Sequence, residues 1–183
     1  MPHMRLAQIR SMDISNGPGV GISIFTQGCD FHCKGCHNPE QWNLNGGQRY
    51  TPETQKKILS LLDKPYIKRL SILGGEPLLN RNRADLAGLV AAVPQDIDIW
   101  LYTGYELPDL INAAHSADLL LLLILHRVNY IVDGRFIEDK KDITLAFRGS
   151  SNQKIWKRKG INPYSFDPAF EDVTAEFDEN NEF

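Results

Sequence analysis

No stretch of about 18 apolar residues occurs in this chain of 183, and its longest apolar run, Leu119 to Leu125, is too short to span a bilayer. No membrane association is expected, and the protein reads as soluble. Cysteine is scarce, three in all, which excludes a disulfide scaffold. Neither sign of charge dominates: 20 Lys and Arg stand against 23 Asp and Glu, a net charge of −3. No dense Lys/Arg stripe marks a nucleic-acid surface, so no nucleic-acid partner is expected. Arg5 and Arg10 have neither an apolar segment between them nor a small-residue cleavage site, so no secretory leader is indicated and a cytoplasmic address is expected. Internal repeats and low-complexity tracts are missing as well, the leucine run apart, which reads as a buried helix.

What is present is ordinary globular material, 42% apolar and 23% charged, enough for a single domain with a sizeable core. Charge is placed unevenly along it. Residues 161–183 hold seven acids (Asp167, Glu171, Asp172, Glu176, Asp178, Glu179 and Glu182) and no Lys or Arg, leaving 16 acids against 20 bases, a net +4, on residues 1–160. The reading is one domain over 1–160 and an acidic tail over 161–183, solvated and partly disordered, with contact to a basic partner surface as the sharper alternative.

Strand-like and helix-like segments alternate, the pattern of a parallel α/β sheet. A first strand is expected at Gly21–Thr26 and a helix from Thr51, where Thr51, Pro52 and Glu53 supply a cap, a first-turn proline and an early acid. A second strand follows at Lys68–Leu73, ending in Gly74-Gly75, and a second helix at Arg83–Val93, stopped by Pro94. Asp96–Tyr102 reads as a third strand, Leu107–His126 as one or two helices, and Val128–Val132 as a fourth strand leading into Asp133-Gly134. Beyond Phe147 the pattern weakens, and Gly149-Ser150-Ser151-Asn152 reads as loop.

All three cysteines, Cys29, Cys33 and Cys36, fall within eight residues after the first strand. A reducing compartment would not keep them as disulfides, and three cannot pair completely, so metal ligation is the economical reading. Three thiolates can hold three corners of a four-iron four-sulfur cluster and leave the fourth iron open. The competing arrangement is a zinc site completed by His32 or His37. Zinc sites usually join two separated Cys-x2-Cys halves, and no second half exists downstream, so the spacing favours iron and sulfur.

The segment GCDFHCKGCHNPEQWN, Gly28 to Asn43, resembles the cluster loop of the radical S-adenosylmethionine superfamily. Gly74-Gly75-Glu76-Pro77 resembles that superfamily's second motif, which contacts the methionine end of the cofactor. NGPGVGISIFTQGC, from Asn16, is similar to the opening of the small activases that install glycyl radicals. The pattern Cys-x2-His-Cys-x-Gly-Cys, with Tyr102-Thr103-Gly104-Tyr105, Val132-Asp133-Gly134-Arg135-Phe136 and Arg148-Gly149-Ser150-Ser151-Asn152-Gln153, resembles the activases of anaerobic ribonucleoside-triphosphate reductases over residues 15–155. One position departs: Gly21 stands where those relatives commonly carry arginine.

The resemblance implies an incomplete β/α barrel with mainly parallel strands and about five or six units, short of the eight of a closed barrel. It implies one 4Fe-4S cluster on Cys29, Cys33 and Cys36, and S-adenosylmethionine bound to the open iron and cleaved to a 5′-deoxyadenosyl radical. That radical would take hydrogen from a glycine of the reductase, with an electron donor such as flavodoxin. Residues expected around the cofactor are His37, Asn38, Gly74, Gly75, Glu76, Pro77, Thr103, Asp133 and Arg135. Asp133-Gly134 reads equally well as a tight turn. Alternatives are activation of another glycyl-radical enzyme, a small-molecule radical reaction, or a non-catalytic zinc or iron-sulfur module. A branched side chain at Gly75 is expected to lower cofactor affinity while leaving the cluster in place.

Overall fold

The computed structural model describes residues 3–161 and 168–179; Asp167 and Glu182 of the acidic tail lie outside the described residues. Eight strands form a single sheet: β1 (Arg5–Asp13), β2 (Gly21–Thr26), β3 (Gln48–Arg49), β4 (Arg69–Gly74), β5 (Asp98–Tyr102), β6 (Tyr130–Asp133), β7 (Lys154–Ile161) and β8 (Pro168–Asp172). Among the described residues five α-helices accompany them: α1 (Pro52–Leu62), α2 (Arg83–Ala92), α3 (Leu107–His115), α4 (Leu119–Arg127) and α5 (Thr174–Glu179). The order across the sheet is β3-β1-β2-β4-β5-β6-β7-β8. The centre, β2-β4-β5-β6, is parallel. Both flanks are antiparallel.

The expected mainly parallel sheet is thus corrected to a mixed α/β sheet, open at β3 and β8, with the parallel strands confined to its middle. The physical reason lies in the connections: a helix joins each parallel neighbour to the next, whereas β1-β2 and β6-β7 are linked without a helical crossover and so return antiparallel. Residues 168–179, expected as solvated tail, instead supply β8 and α5. Val173 is buried, and Phe177 lies edge-on to Trp100 at 5.5 Å between ring centroids.

The parallel strands bury one face under α1 to α4. Ile22, Ile24, Leu70, Ile72, Ile99, Leu101 and Ile131 meet Ile58, Leu62, Leu86, Leu89, Leu110 and Leu125 in one apolar cluster. Thr51 caps α1 by accepting from the Thr54 amide at 3.2 Å, as its sequence position suggests. The leucine run is not buried all round. In α4, Leu121, Ile124 and Leu125 face the core while Leu119 and Leu123 are exposed. No helix among the described residues is long and apolar enough to cross a membrane.

Alternation along the strands turns Ser23, Ser71, Trp100, Tyr102 and Val132 to the opposite face. This second face is covered by α5, whose Phe177 packs on Trp100 and Val132, and by loops. The loop between β1 and β2 is pinned there by Arg69, whose side chain is only 2% exposed. Its guanidinium donates to the carbonyls of Asn16 (2.7 Å), Pro18 (3.2 Å) and Asp13 (2.6 Å), donates also to Ser71 Oγ, and pairs with the Asp13 carboxylate at 3.7 Å. Gly21 is the register partner of Arg69, and a Cβ on it would stand 2.8 Å from the Arg69 guanidinium carbon. The space beside Gly21 is therefore filled by an arginine reaching across from the next strand.

Candidate functional site

The carboxyl ends of β2, β4, β5 and β6 converge on one cavity of about 190 Å³, lined among others by Cys29, Cys33, Cys36, Gly74, Gly75 and Thr103. Ligand sites of parallel sheets occupy this end because the strand-to-helix loops gather there. The cysteine loop leaves β2 at Gly28 and is stitched to its neighbours through backbone. The Gly28 amide donates to the Gln41 carbonyl at 2.8 Å, and the Glu76 amide donates to the Gly28 carbonyl at 2.7 Å.

This stitching explains the paired glycines after β4. Gly74 has φ 114°, where a side chain strains the backbone, and a Cβ on Gly75 would lie 2.2 Å from the Gly28 carbonyl oxygen. The close approach is made to the cysteine loop itself. A side chain at Gly75 would displace the residue preceding Cys29, so the expectation that such a change spares the cluster loop does not survive the geometry.

Glu76, 1% exposed, joins three loops. Its carboxylate accepts from the Thr103 hydroxyl (2.9 Å), the Gly104 amide (2.8 Å) and the Leu78 amide (2.8 Å). Burial outweighs these donors and pushes its pKa up to about 7. Thr103 and Glu76 both line the cavity, yet their polar atoms are spent on each other, so their part is to fix the exit loops of β4 and β5.

The other expected cofactor residues divide. Asn38 and Arg135 line the thiol cavity. The Arg135 guanidinium lies 4.4 Å from the centre of the Phe31 ring, which meets Tyr105 at 4.8 Å. His37 lies in the wall of a second cavity of about 630 Å³, which shares Cys36, Asn38, Leu73, Tyr102 and Phe136 with the first. Asp133 and Pro77 line neither. Asp133 Oδ2 accepts from the Leu107 amide at 2.8 Å and so holds the start of α3. Gly134 beside it has φ 92° and does line the thiol cavity, so the turn reading and the cavity reading of this dipeptide both have a place.

Phe31 and Gln153 belong to the site but were not singled out from the sequence as such. Gln153 donates to the Gly134 carbonyl at 2.9 Å and accepts from the Gly149 and Ser150 amides, tying β7 to the exit of β6. The only signal for it is its position closing the run Arg148 to Gln153.

The residues present fit an iron-sulfur cluster. All three cysteines are free and partly exposed to the cavity. Among the described residues no group of three or more His, Cys, Asp or Glu is placed to hold a single metal ion; a cubic cluster instead takes each thiolate at a different iron. Burial, the largest cause in both, pushes the Cys29 and Cys33 thiols above their ordinary pKa. Cluster assembly must therefore release protons, which makes loading pH-dependent.

Comparison with known proteins agrees with this geometry. A protein family described as "4Fe-4S single cluster domain" matches residues 15–156. The anaerobic ribonucleoside-triphosphate reductase-activating protein of Salmonella typhi is 40% identical over 157 residues, covering 83% of this chain and 97% of its own. The proteins of the same name from Escherichia coli K12 and Enterobacteria phage T4 are 38% and 36% identical, and this chain covers 97% and 94% of them.

Proposed function

Because the chain belongs to the family of anaerobic ribonucleoside-triphosphate reductase-activating proteins and carries a 4Fe-4S single cluster domain, we propose that it installs a glycyl radical on such a reductase. The observation that carries this reading is the meeting of all three thiols with the Gly74-Gly75 and Thr103-Gly104 turns in one cavity. Cys29, Cys33 and Cys36 hold the cluster. When bound, the cluster and S-adenosylmethionine would supply one-electron reductive cleavage of the sulfonium and, through it, removal of a hydrogen atom from a glycine α-carbon.

The chain's own residues bind, orient and exclude water. Gly74, Gly75 and Asn38 shape the methionine end of the cavity, and Arg135, braced on Phe31, offers a cation to the methionine carboxylate. Glu76, Pro77, Thr103 and Asp133 hold the loops that carry these groups, and His37 stands on the side from which the reductase enters. The open sheet serves as a partial barrel whose loop-covered face admits a protein segment. Residues 1–160 carry the chemistry and 161–183 modulate docking. The electron comes from a small donor such as flavodoxin, in the reducing cytoplasm where the three thiols stay unpaired.

The test is anaerobic incubation of reconstituted protein with dithionite, S-adenosylmethionine and the reductase. The expected products are methionine and 5′-deoxyadenosine in equal amounts, absent when the cluster is left out. Cofactor left intact by the fully loaded protein would overturn the reading.

A further inference from the structure

Where the two cavities meet, one buried hydroxyl is left unpartnered by the described residues. Tyr102, at the end of β5, lines both cavities, and its hydroxyl oxygen is shut off from solvent with no hydrogen-bond partner among the described residues. Native structures leave few buried polar atoms unsatisfied, because an unmade hydrogen bond costs stability. Burial also holds the phenol protonated, well above its ordinary pKa, so the group is an O–H donor.

The neighbours of this hydroxyl are already committed. Asp13, one of its charged neighbours, accepts from the Ser15 and Asn16 amides and from Asn16 Nδ2. Arg69, the other, spends its donors on the carbonyls of the loop between β1 and β2. These groups pin the segment whose Ser15 and Asn16 line the larger cavity, which puts the hydroxyl end of Tyr102 on that side. A group able to satisfy it must be an acceptor entering the larger cavity, and the hydroxyl, shut off in the free protein, must be uncovered as that group enters.

The rest of the lining indicates what kind of acceptor. Leu73, Val132, Phe136 and Phe147 form the apolar part of the wall, and Lys141 and Asp142 add one charge of each sign to it. The terminal nitrogens of Arg148 are taken by the Gln153 carbonyl and by Asp178 of α5. With Lys141 offset by Asp142 and Arg148 paired with Asp178, the wall offers no net positive charge to a phosphate and suits a neutral acceptor, a main-chain carbonyl. Resting on the function proposed above, we propose that the larger cavity receives the reductase segment bearing the target glycine, and that Tyr102 Oη donates to a main-chain carbonyl of that segment. Tyr102 is then a positioning residue. It holds the glycine α-carbon within reach of the radical, where small displacements cost large factors in rate.

The test is Tyr102→Phe in the reconstituted full-length protein, assayed beside wild type. The variant keeps the ring and removes only an unpaired hydroxyl, so the free protein should melt at the same temperature or higher. The KM for the reductase should rise about five- to tenfold, the factor carried by one neutral hydrogen bond, and more S-adenosylmethionine should be consumed per glycyl radical formed. A purely structural tyrosine moves neither quantity, so wild-type values for both would overturn the inference while leaving the activase reading intact. A weaker dissociation constant for S-adenosylmethionine with an unchanged KM for the reductase would assign the hydroxyl to the cofactor and overturn it equally. No glycyl radical with wild-type protein would remove the activase reading and this inference together.

Discussion

The two faces of the parallel strands are built from alternate residues of the same segments and do different work. On the helix-covered face, Ile22, Ile24, Leu70, Ile72, Ile99 and Leu101 are fully buried and carry no polar side-chain atom. On the other face the same strands present Ser23, Arg69, Ser71 and Tyr102, covered by loops beside the short helix α5 and hollowed by the larger cavity. A period of two residues thus separates a face that stabilises from a face that positions. Substitutions on the first should be read out in stability, and substitutions on the second, or at its upper rim, in chemistry.

The largest effect belongs to the rim. Replacing Cys29, Cys33 or Cys36 by Ala should abolish the cluster's visible absorbance and all cofactor cleavage, because three ligands leave no redundancy. Full iron content in any single variant would break the division of labour at its most exposed point.

Next is the helix-covered face. Ile72→Ala or Leu101→Ala should cost about 2–5 kcal/mol in denaturant unfolding, while the protein that remains folded takes up its cluster normally. A variant that kept its stability yet lost its cluster would show that the faces are not separable.

Gly75→Val crosses the boundary. Its side chain would press on the Gly28 carbonyl, so about 1–3 kcal/mol of stability should be lost together with iron content. Loss of cofactor affinity alone, with full iron content, would mean that Gly75 faces the ligand and not the cysteine loop.

An effect of similar size concerns Glu76, whose carboxyl is pushed up to about 7 from an ordinary 4.5 by burial. A raised carboxyl pKa means that the folded state holds the proton more tightly, so its contribution to stability is complete below about pH 4.5 and is lost as pH rises through about 7. Glu76→Gln should remove this slope from the pH dependence of stability. It should also cost about 1–3 kcal/mol, since its amide nitrogen cannot accept from the Gly104 amide as the second carboxylate oxygen does. An unaltered slope in urea titrations across this window would place the titrating group elsewhere.

The helix-covered half of the fold was legible because its signals are local. Gly21–Thr26 is buried along its whole length, and its bounds follow from the apolar run itself. Thr51-Pro52-Glu53 announces α1, and Pro94 follows α2 closely. β1 was missed because RLAQIRSMD has no clean alternation; it is mostly exposed and held by pairing with β2 and β3. β8 and α5 were missed because seven acids without a base read as solvent-facing, whereas Val173 and Phe177 anchor that segment on Trp100 and its neighbours.

The site divides in the same way. Three thiols within eight residues form a local pattern, and the fold gathers them into one cavity. The Arg69 network joins residues about fifty positions apart, and Lys68-Arg69 by itself reads as a charged strand start. The satisfied state of Glu76 and the unsatisfied state of Tyr102 depend on contacts among loops that no single segment encodes.

The thiol cavity is proposed to work on a glycine of a reductase. The most direct measurement is the electron paramagnetic resonance spectrum of the reductase after anaerobic incubation with the reduced, cluster-loaded protein and S-adenosylmethionine, repeated on a reductase whose target glycine is replaced by alanine. The account predicts a glycyl doublet on the first that is missing from the second. A doublet that persists in the alanine reductase, or no doublet on either while the cofactor is cleaved, would contradict it.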